Sequence, residues 1–453
     1  TSGERTPIQP MPGKGEEAIR WNWDAPLLLS PHDNKTLYFC ANKVFKSANR
    51  GDDWKTISPD LSQQIDRNKL EIMDQVWAID AVMKNKSTTK YGNIVAFDES
   101  PIKKGLLYAG TDDGLIQTSL NDGDSWSKTK SFPGVPENTR INMIVASLHD
   151  ETVVFATLNN HRSGDFKPYV VKSVDKGKTW KSISGNLPDR GSAFAIRQDH
   201  VDPELLFVGT EFACFFSNNG GESWTKLAGL PTIAVYDIDI QKRENDIVVG
   251  TFGRGFYVLD NYTPLRSLST ENLSKRAVLF PIKDALQYVP SAPLGLRGTG
   301  SQGANMWYAE NPTYGAIFSI YMKETESSLK EKRKKREKEQ EEEKKPVSYP
   351  SFEELRNEEN EDKAQLIWVI RDSNNEEIRR LSSSPKNGIG RISWDLRMTS
   401  TSPVRINKPK PGRYSSPDVG LMVVPGTYSV EVLWIKNGIV EQLIEKNAFK
   451  VVG

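Results

Sequence analysis

The chain has 453 residues, 37% of them apolar and 26% charged, and its 60 Lys and Arg against 59 Asp and Glu leave a net charge of +1. That length holds two or three domains with a large buried core, while the even balance gives no sign of the basic surface by which proteins hold nucleic acid or anionic membranes. No apolar run reaches the ~18–20 residues of a membrane-spanning helix.

Residues 1–20 read as an N-terminal extension. They begin Thr1-Ser2-Gly3 rather than with Met, so the chain is expected to be a processed product or a fragment, with any export signal upstream. From residue 21 to 265 a repeat dominates. Four octets share the template Ser-x-Asn/Asp-x-Gly-x-Ser/Thr-Trp: Ser47–Trp54 (with Asn49 and Gly51), Ser119–Trp126 (Asn121, Gly123), Ser173–Trp180 (Asp175, Gly177) and Ser217–Trp224 (Asn219, Gly221). The first departs from it, with Asp53 where Ser or Thr is usual. The Asn or Asp accepts backbone N–H groups and closes a turn. Gly supplies a positive φ, and Trp opens the next strand and buries a large ring.

Short strands flank each octet. First strands are expected at 26–30, 93–97, 142–146, 193–197 and 234–240, and second strands at 36–41, 105–110, 152–158, 205–209 and 246–251. Third strands at 44–47, 115–119, 169–173 and 214–217 run into the octets, and fourth strands begin at the tryptophans. Strand quartets at a period of about 40–50 residues mark a β-propeller. A fifth unit at 247–260 has strands but no octet, and its outer strand is expected at 276–280. Five blades make an open arc with exposed sheet edges, so further blades are expected upstream. The longest repeat step contains an insertion at 61–91 carrying Trp77. Cys40 and Cys214 lie in strands of different repeats and read as buried thiols, not as a disulfide.

Residues 266–312 read as a linker with one packed strand. Residues 313–453 carry six further strand patterns, as in an immunoglobulin-like β-sandwich. A charged insertion at 323–362 alternates Lys and Arg with Glu, which reads as a solvated arm, helical or disordered, rather than a polyelectrolyte site. The whole is predicted to be all-β: four-stranded Asp-box blades, at least five, then an Ig-like sandwich.

The octets, the Ser30-Pro31-His32-Asp33 turn and the Gly250-Thr251-Phe252-Gly253-Arg254-Gly255 element resemble the sortilin-like, BNR-repeat (Asp-box) propeller proteins of Bacteroidetes, many of which carry a "glycosyl hydrolase" label. The resemblance continues through Leu279-Phe280-Pro281, Asn311-Pro312 and Pro425-Gly426-Thr427-Tyr428, and matches the C-terminal half of those longer proteins. It implies an exported protein of the periplasm or cell surface of a Gram-negative bacterium, with protein partners that include an upstream propeller portion of the same protein. In that family the box marks the fold and takes no part in catalysis. The cysteine-rich modules of sortilin are absent.

Chemical motifs are sparse. Gly298-x-Gly300-x-x-Gly303 matches a dinucleotide fingerprint by letters, without the strand-turn-helix it needs, so no cofactor is expected. His32, His149 and His200 occupy the same turn of different blades beside Asp33, Asp150 and Asp202, which favours turn roles over a shared metal. A glycosidase needs two carboxylates about 5–10 Å apart. The candidates are Asp112, Asp113 and Glu211, with Asp113-Gly114 equally a hairpin turn. In a four-stranded blade the second-to-third and fourth-to-first loops share the rim opposite the boxes. Trp77, Arg140, His161, Arg162, Arg190 and Arg254 fall there and are the candidate ligand-binding residues. The leading expectation is a non-catalytic protein-binding or scaffolding component of an extracytoplasmic assembly. The alternative is a glycoside hydrolase acting on polysaccharide in a propeller cleft.

Overall fold

A computed structural model describes all residues except 1, 2, 4, 72, 83, 85–90, 290–308, 326 and 403–418. The glycine fingerprint at 298–303 therefore lies outside the described residues. The chain forms two compact units, Thr1–Arg266 and Ser267–Gly453.

The first unit is a run of five antiparallel sheets. Blade 1 is β1 (Leu27–Leu29), β2 (Leu37–Cys40), β3 (Val44–Ser47) and β4 (Lys55–Thr56). Blade 2 is β5 (Ile94–Glu99), β6 (Leu107–Thr111), β7 (Ile116–Ser119) and β8 (Ser127–Thr129). Blade 3 is β9 (Arg140–Ala146), β10 (Val154–Asn160), β11 (Asp165–Ser173) and β12 (Lys181–Ser182), and blade 4 is β13 (Ala193–Gln198), β14 (Leu206–Thr210), β15 (Cys214–Ser217) and β16 (Thr225–Lys226). Each is a simple meander in sequence order. Blade 5 has only β17 (Val235–Gln241), β18 (Asp246–Thr251) and β19 (Phe256–Leu259). The fourth strand expected for it at 276–280 is elsewhere: Ala277–Leu279 pairs with Ala316–Met322 in the second unit.

Burial follows position in the blade. The second strands β6 and β14 are buried at every residue, because both of their faces meet neighbouring blades. The fourth strands are two or three residues long and are mainly Lys, Ser and Thr, which blunts the exposed sheet edge. Blades interlock through glycine. A Cβ on Gly110 would sit 2.5 Å from Ile141 of blade 3, and one on Gly209 would sit 2.6 Å from Val235 of blade 5.

The four octets fold alike. The serine hydroxyl accepts from the Gly N–H at 2.8, 2.8, 2.9 and 2.9 Å. The Asn or Asp Oδ1 accepts from the N–H four residues on at 3.0, 3.0, 2.8 and 3.0 Å. The odd Asp53 does the work of serine, since its carboxylate accepts from the Asn49 amide at 2.9 Å as Ser125 and Ser223 accept from Asn121 and Asn219. Three tryptophans reach the preceding segment: Trp126 Nε1 donates to Ile57 O (3.1 Å), Trp224 Nε1 to Ile183 O (2.8 Å) and Trp54 Nε1 to Ile8 O (2.7 Å). Trp180 instead donates to Gly177 O of its own turn (3.1 Å).

In the second unit, β20 (Ala277–Leu279), β22 (Ala316–Met322) and β25 (Gly388–Trp394) form one sheet. The other runs β21 (Ala285–Leu286), β27 (Ile439–Val452), β26 (Gly426–Lys436), β23 (Gln365–Arg371) and β24 (Glu377–Ser383). Phe318, Trp368, Trp394, Tyr428 and Phe449 fill the core that the two sheets share. The charged insertion carries two helices, α2 (Leu329–Glu342) and α3 (Phe352–Asn360), after the short α1 (Thr270–Ser274). Both insertion helices start with capping boxes, Ser328/Glu331 and Ser351/Glu354, and Arg333 joins them through Glu358.

Candidate functional site

Meander topology puts the octet turns of blades 1 to 4 at one end and the second-to-third and fourth-to-first connections at the other. The carboxylates proposed for hydrolysis lie at that second end, in the β6–β7 and β14–β15 hairpins. Asp112 Oδ1 accepts from Gly92 N (2.9 Å) and Asn93 N (2.7 Å), and its Oδ2 from Asn22 Nδ2 (3.2 Å). Asp113 is fully buried and accepts from Thr111 Oγ1 (2.5 Å) and Gln63 N (2.8 Å). Burial pushes both carboxyls above their ordinary range. The pair clamps the loop that leads into β5, and its oxygens are occupied by chain N–H and hydroxyl groups. Glu211 lies on the β14–β15 hairpin of blade 4, with blade 3 between it and the aspartates in chain order, and its backbone N–H donates to Ser192 O (3.0 Å).

The predicted ligand-binding residues divide. His161 and Arg162 form an exposed 3-10 turn between β10 and β11. His161 Nδ1 meets Asn159 Oδ1 at 2.6 Å. Partial burial and then the nearby Arg162 lower the imidazole pKa, and Glu211 works against them. Arg190 is exposed and lies over the Phe166 ring, 6.0 Å from its centroid. Arg254 is exposed at the tip of the β18–β19 hairpin, with no hydrogen bond or ion pair among the described residues. Arg140, by contrast, is mostly buried and is tied to Asp24 at 2.7 Å. Trp77 sits in the 61–91 insertion, its carbonyl accepting from Lys84.

Sequence reasoning missed the aromatic side chains of the same rim. Phe166, Phe212, Tyr236 and Phe252 are 38%, 46%, 49% and 69% exposed. Tyr236 stacks on Phe194 with centroids 4.4 Å apart, and Phe252 leans on Tyr236 at 5.5 Å. Phe212 packs over Gly191, whose N–H donates to Phe166 O (2.8 Å). Part of the signal was present: Phe212 and Phe252 stand within two residues of the Gly-Thr pairs that end β14 and β18, whereas Gly110-Thr111 of blade 2 is followed by Asp112 and Asp113.

The three turn histidines stand apart. His32 Nε2 meets Ser100 O and His149 Nε2 meets Asp199 O, both at 2.8 Å, so each bridges to the next blade. His200 Nδ1 meets the Tyr262 hydroxyl at 3.3 Å. Among the described residues no group of three or more His, Cys, Asp or Glu is placed to hold a metal. The first strands line a depression of about 720 Å³ that includes Leu27, Asp98, Met143, Arg197 and Asp237. Arg197 there reaches Asp237 at 3.4 Å.

This geometry defines a β-propeller protein with an aromatic and arginine-bearing loop rim. No family model matches the chain. A curated xyloglucanase from Paenibacillus sp. is 23% identical over 168 residues, covering 34% of this chain and 16% of that protein. The chain thus matches about a sixth of the curated relative's length. Among solved structures it is similar to a GH74 xyloglucanase from Xanthomonas campestris (TM-score 0.39, 18% identity, 52% of this chain and 36% of that one). It is also similar to a GH74 enzyme from Niastella koreensis (0.38, 17%, 52% and 36%) and to the extracellular domain of a putative hybrid two-component system from B. thetaiotaomicron (0.36, 13%, 57% and 28%).

Proposed function

We propose that this protein is a non-catalytic binding component of an extracytoplasmic assembly, of the periplasm or cell surface of a Gram-negative bacterium, and that it holds a protein partner on the propeller rim. The observation that carries the reading is the composition of that rim. Four partly exposed aromatics share that rim with the exposed Arg162, Arg190 and Arg254, Arg190 lying over the Phe166 ring. Aromatic and Arg side chains are the usual anchors of protein interfaces, and exposed apolar side chains gathered on one surface mark an interaction site. Asp112 and Asp113 are occupied by hydrogen bonds from the surrounding chain, which leaves Glu211 as the one proposed catalytic carboxylate whose side chain makes no hydrogen bond among the described residues. The resemblance to sortilin-like Asp-box proteins supports the same reading.

Gentle detergent extraction of the producing cells, followed by sizing of the native protein, tests it. The protein is expected in a complex that Phe212→Ser with Arg190→Glu disperses; a lone monomer in both cases refutes the reading. Glycoside hydrolysis is the competing reading, favoured by the partial match to a xyloglucanase. Reducing ends released from a glycan panel by the wild type, and lost in Glu211→Gln, would establish it instead.

A further inference from the structure

The rim of blades 3 and 4 carries a relay of hydrogen bonds that ends on His161. Phe194 O can only accept, so the Asn142 group 2.6 Å from it is the amide nitrogen. That leaves Asn142 Oδ1 free to accept, which it does from Asn159 Nδ2 at 3.0 Å. Asn159 therefore faces His161 Nδ1 with its oxygen, at 2.6 Å. Asn159 is 3% exposed, so the relay cannot turn over without stranding buried polar atoms. The single proton of neutral His161 is thus fixed on Nδ1, and Nε2 is left as an acceptor. The ring is exposed at the rim, and among the described residues no group donates to Nε2.

The surroundings select the kind of donor. Partial burial and Arg162 lower the imidazole pKa, Arg140 adds to them, and Glu211 opposes. A ring that two arginines help to hold neutral disfavours an ammonium or guanidinium beside it, so the matching donor is uncharged. Aromatic side chains adjoin it. The turn carrying His161 is closed by the Asn160–Asp165 pair and leads directly into Phe166. Phe166 O accepts from Gly191 N at 2.8 Å, and Phe212 packs over Gly191. Arg190 already lies over the Phe166 ring, while Phe212 is 46% exposed.

We propose that His161 Nε2 is the atom of the rim that reads the protein partner, and that it takes an aromatic side chain with its own donor, a tyrosine O–H or a tryptophan N–H, whose ring lies against Phe212. Such side chains join a large apolar body to one polar group that seeks a partner when buried, which is the complement of a lone acceptor beside an exposed ring. Serine and threonine offer the donor without the ring, phenylalanine the ring without the donor. The assignment rests on the rim reading, but the two fail separately: dispersal of the native complex tests the rim, and the experiment below needs only the purified chain.

The chain has four histidines, so nitrogen-labelled histidine gives four ring spectra by NMR, and His161→Gln identifies one of them by its loss. In the wild type at neutral pH that ring is expected to carry its proton on Nδ1, with Nε2 bare. The protein is then titrated with the N-acetyl amides of tyrosine, tryptophan, phenylalanine and lysine, and with cellotetraose. The tyrosine amide, the tryptophan amide or both are expected to shift the Nε2 resonance and to bind about three- to tenfold more tightly than the phenylalanine amide, the share of one neutral hydrogen bond. This preference is expected to disappear in Asn159→Leu, which releases the ring, and as pH falls below the ordinary imidazole range, where Nε2 gains a proton and becomes a donor. A proton on Nε2 of the free wild type at neutral pH overturns the proposal. So does a phenylalanine amide that binds as tightly, a lysine amide or cellotetraose that binds at this ring more tightly, or the absence of any shift at His161.

Discussion

Replacing Asp199 by Ala is expected to cost the first unit about 3–5 kcal/mol, the usual consequence of stranding a buried cation. Asp199 is fully buried in the turn after β13. Its carboxylate accepts from Arg266 Nε and Nη2, both at 2.8 Å, from Val201 N at 3.0 Å and Asp202 N at 2.7 Å, and from the Tyr262 hydroxyl. The substitution removes five donors' acceptor at once and leaves the Arg266 side chain, itself 16% exposed, without its carboxylate. Burial alone would raise this carboxyl, but the Arg266 and Tyr262 hydrogen bonds with the backbone donors outweigh it and hold the pKa at about 2.

That value sets the pH dependence. A folded pKa below the ordinary 3.8 contributes stability that is complete above pH 3.8 and is lost as pH falls through about 2. The interval, at 1.36 kcal/mol per unit, is on the order of 2 kcal/mol. Asp199→Asn is expected to remove this acid-labile share while retaining part of the hydrogen bonding. Urea unfolding, with hydrogen exchange read at the amides of blades 4 and 5, measures both. A loss under 1 kcal/mol in the Ala variant, or protection lost equally in blade 1, refutes the assignment of Asp199 and Arg266 as the tie between blade 4 and the segment that follows blade 5.

Gly209→Val is expected to destabilise the first unit by about 1–3 kcal/mol through overpacking against Val235; an unchanged melting temperature refutes that contact. Burial pushes Asp98 up to about 7. Its contribution is therefore most favourable below pH 3.8 and declines as pH rises through 7, by an amount on the order of 4 kcal/mol, and Asp98→Asn is expected to flatten stability between pH 5 and 8 in a denaturation series. Asn219→Ala removes the acceptor of the Ser223 N–H and the donor to its hydroxyl and is expected to cost about 1–2 kcal/mol by thermal unfolding. Burial pushes the Cys214 thiol up to about 12 and Cys40 well above its ordinary range, so native protein is expected to leave a thiol reagent unreacted until it unfolds.

The blades were legible because their code is local. A serine, an Asn or Asp two residues on and a glycine two further satisfy one another within eight residues, so spacing suffices to place the turn and hence the strands beside it. The departure at Asp53 was legible as a departure, but its harmlessness was not: only the geometry shows a carboxylate accepting where a hydroxyl usually does. The site was less visible. Asp112 and Asp113 look like a free acidic pair in one dimension, because the Gln63, Gly92 and Asn22 groups that consume them come from up to 90 residues away. Arg140 reads as an available cation until Asp24, 116 residues distant, closes on it.

Short-range hydrogen-bonding patterns and strand alternation are thus what the amino-acid order determined by itself: the repeat, the box turns and the sandwich strands. Tertiary packing decided which polar groups remain available, which aromatics gather on one rim, and that residues 277–279 join the second unit instead of completing blade 5. The physical reason is that burial and ion pairing depend on segments brought together across many tens of residues, and no local spacing encodes those encounters.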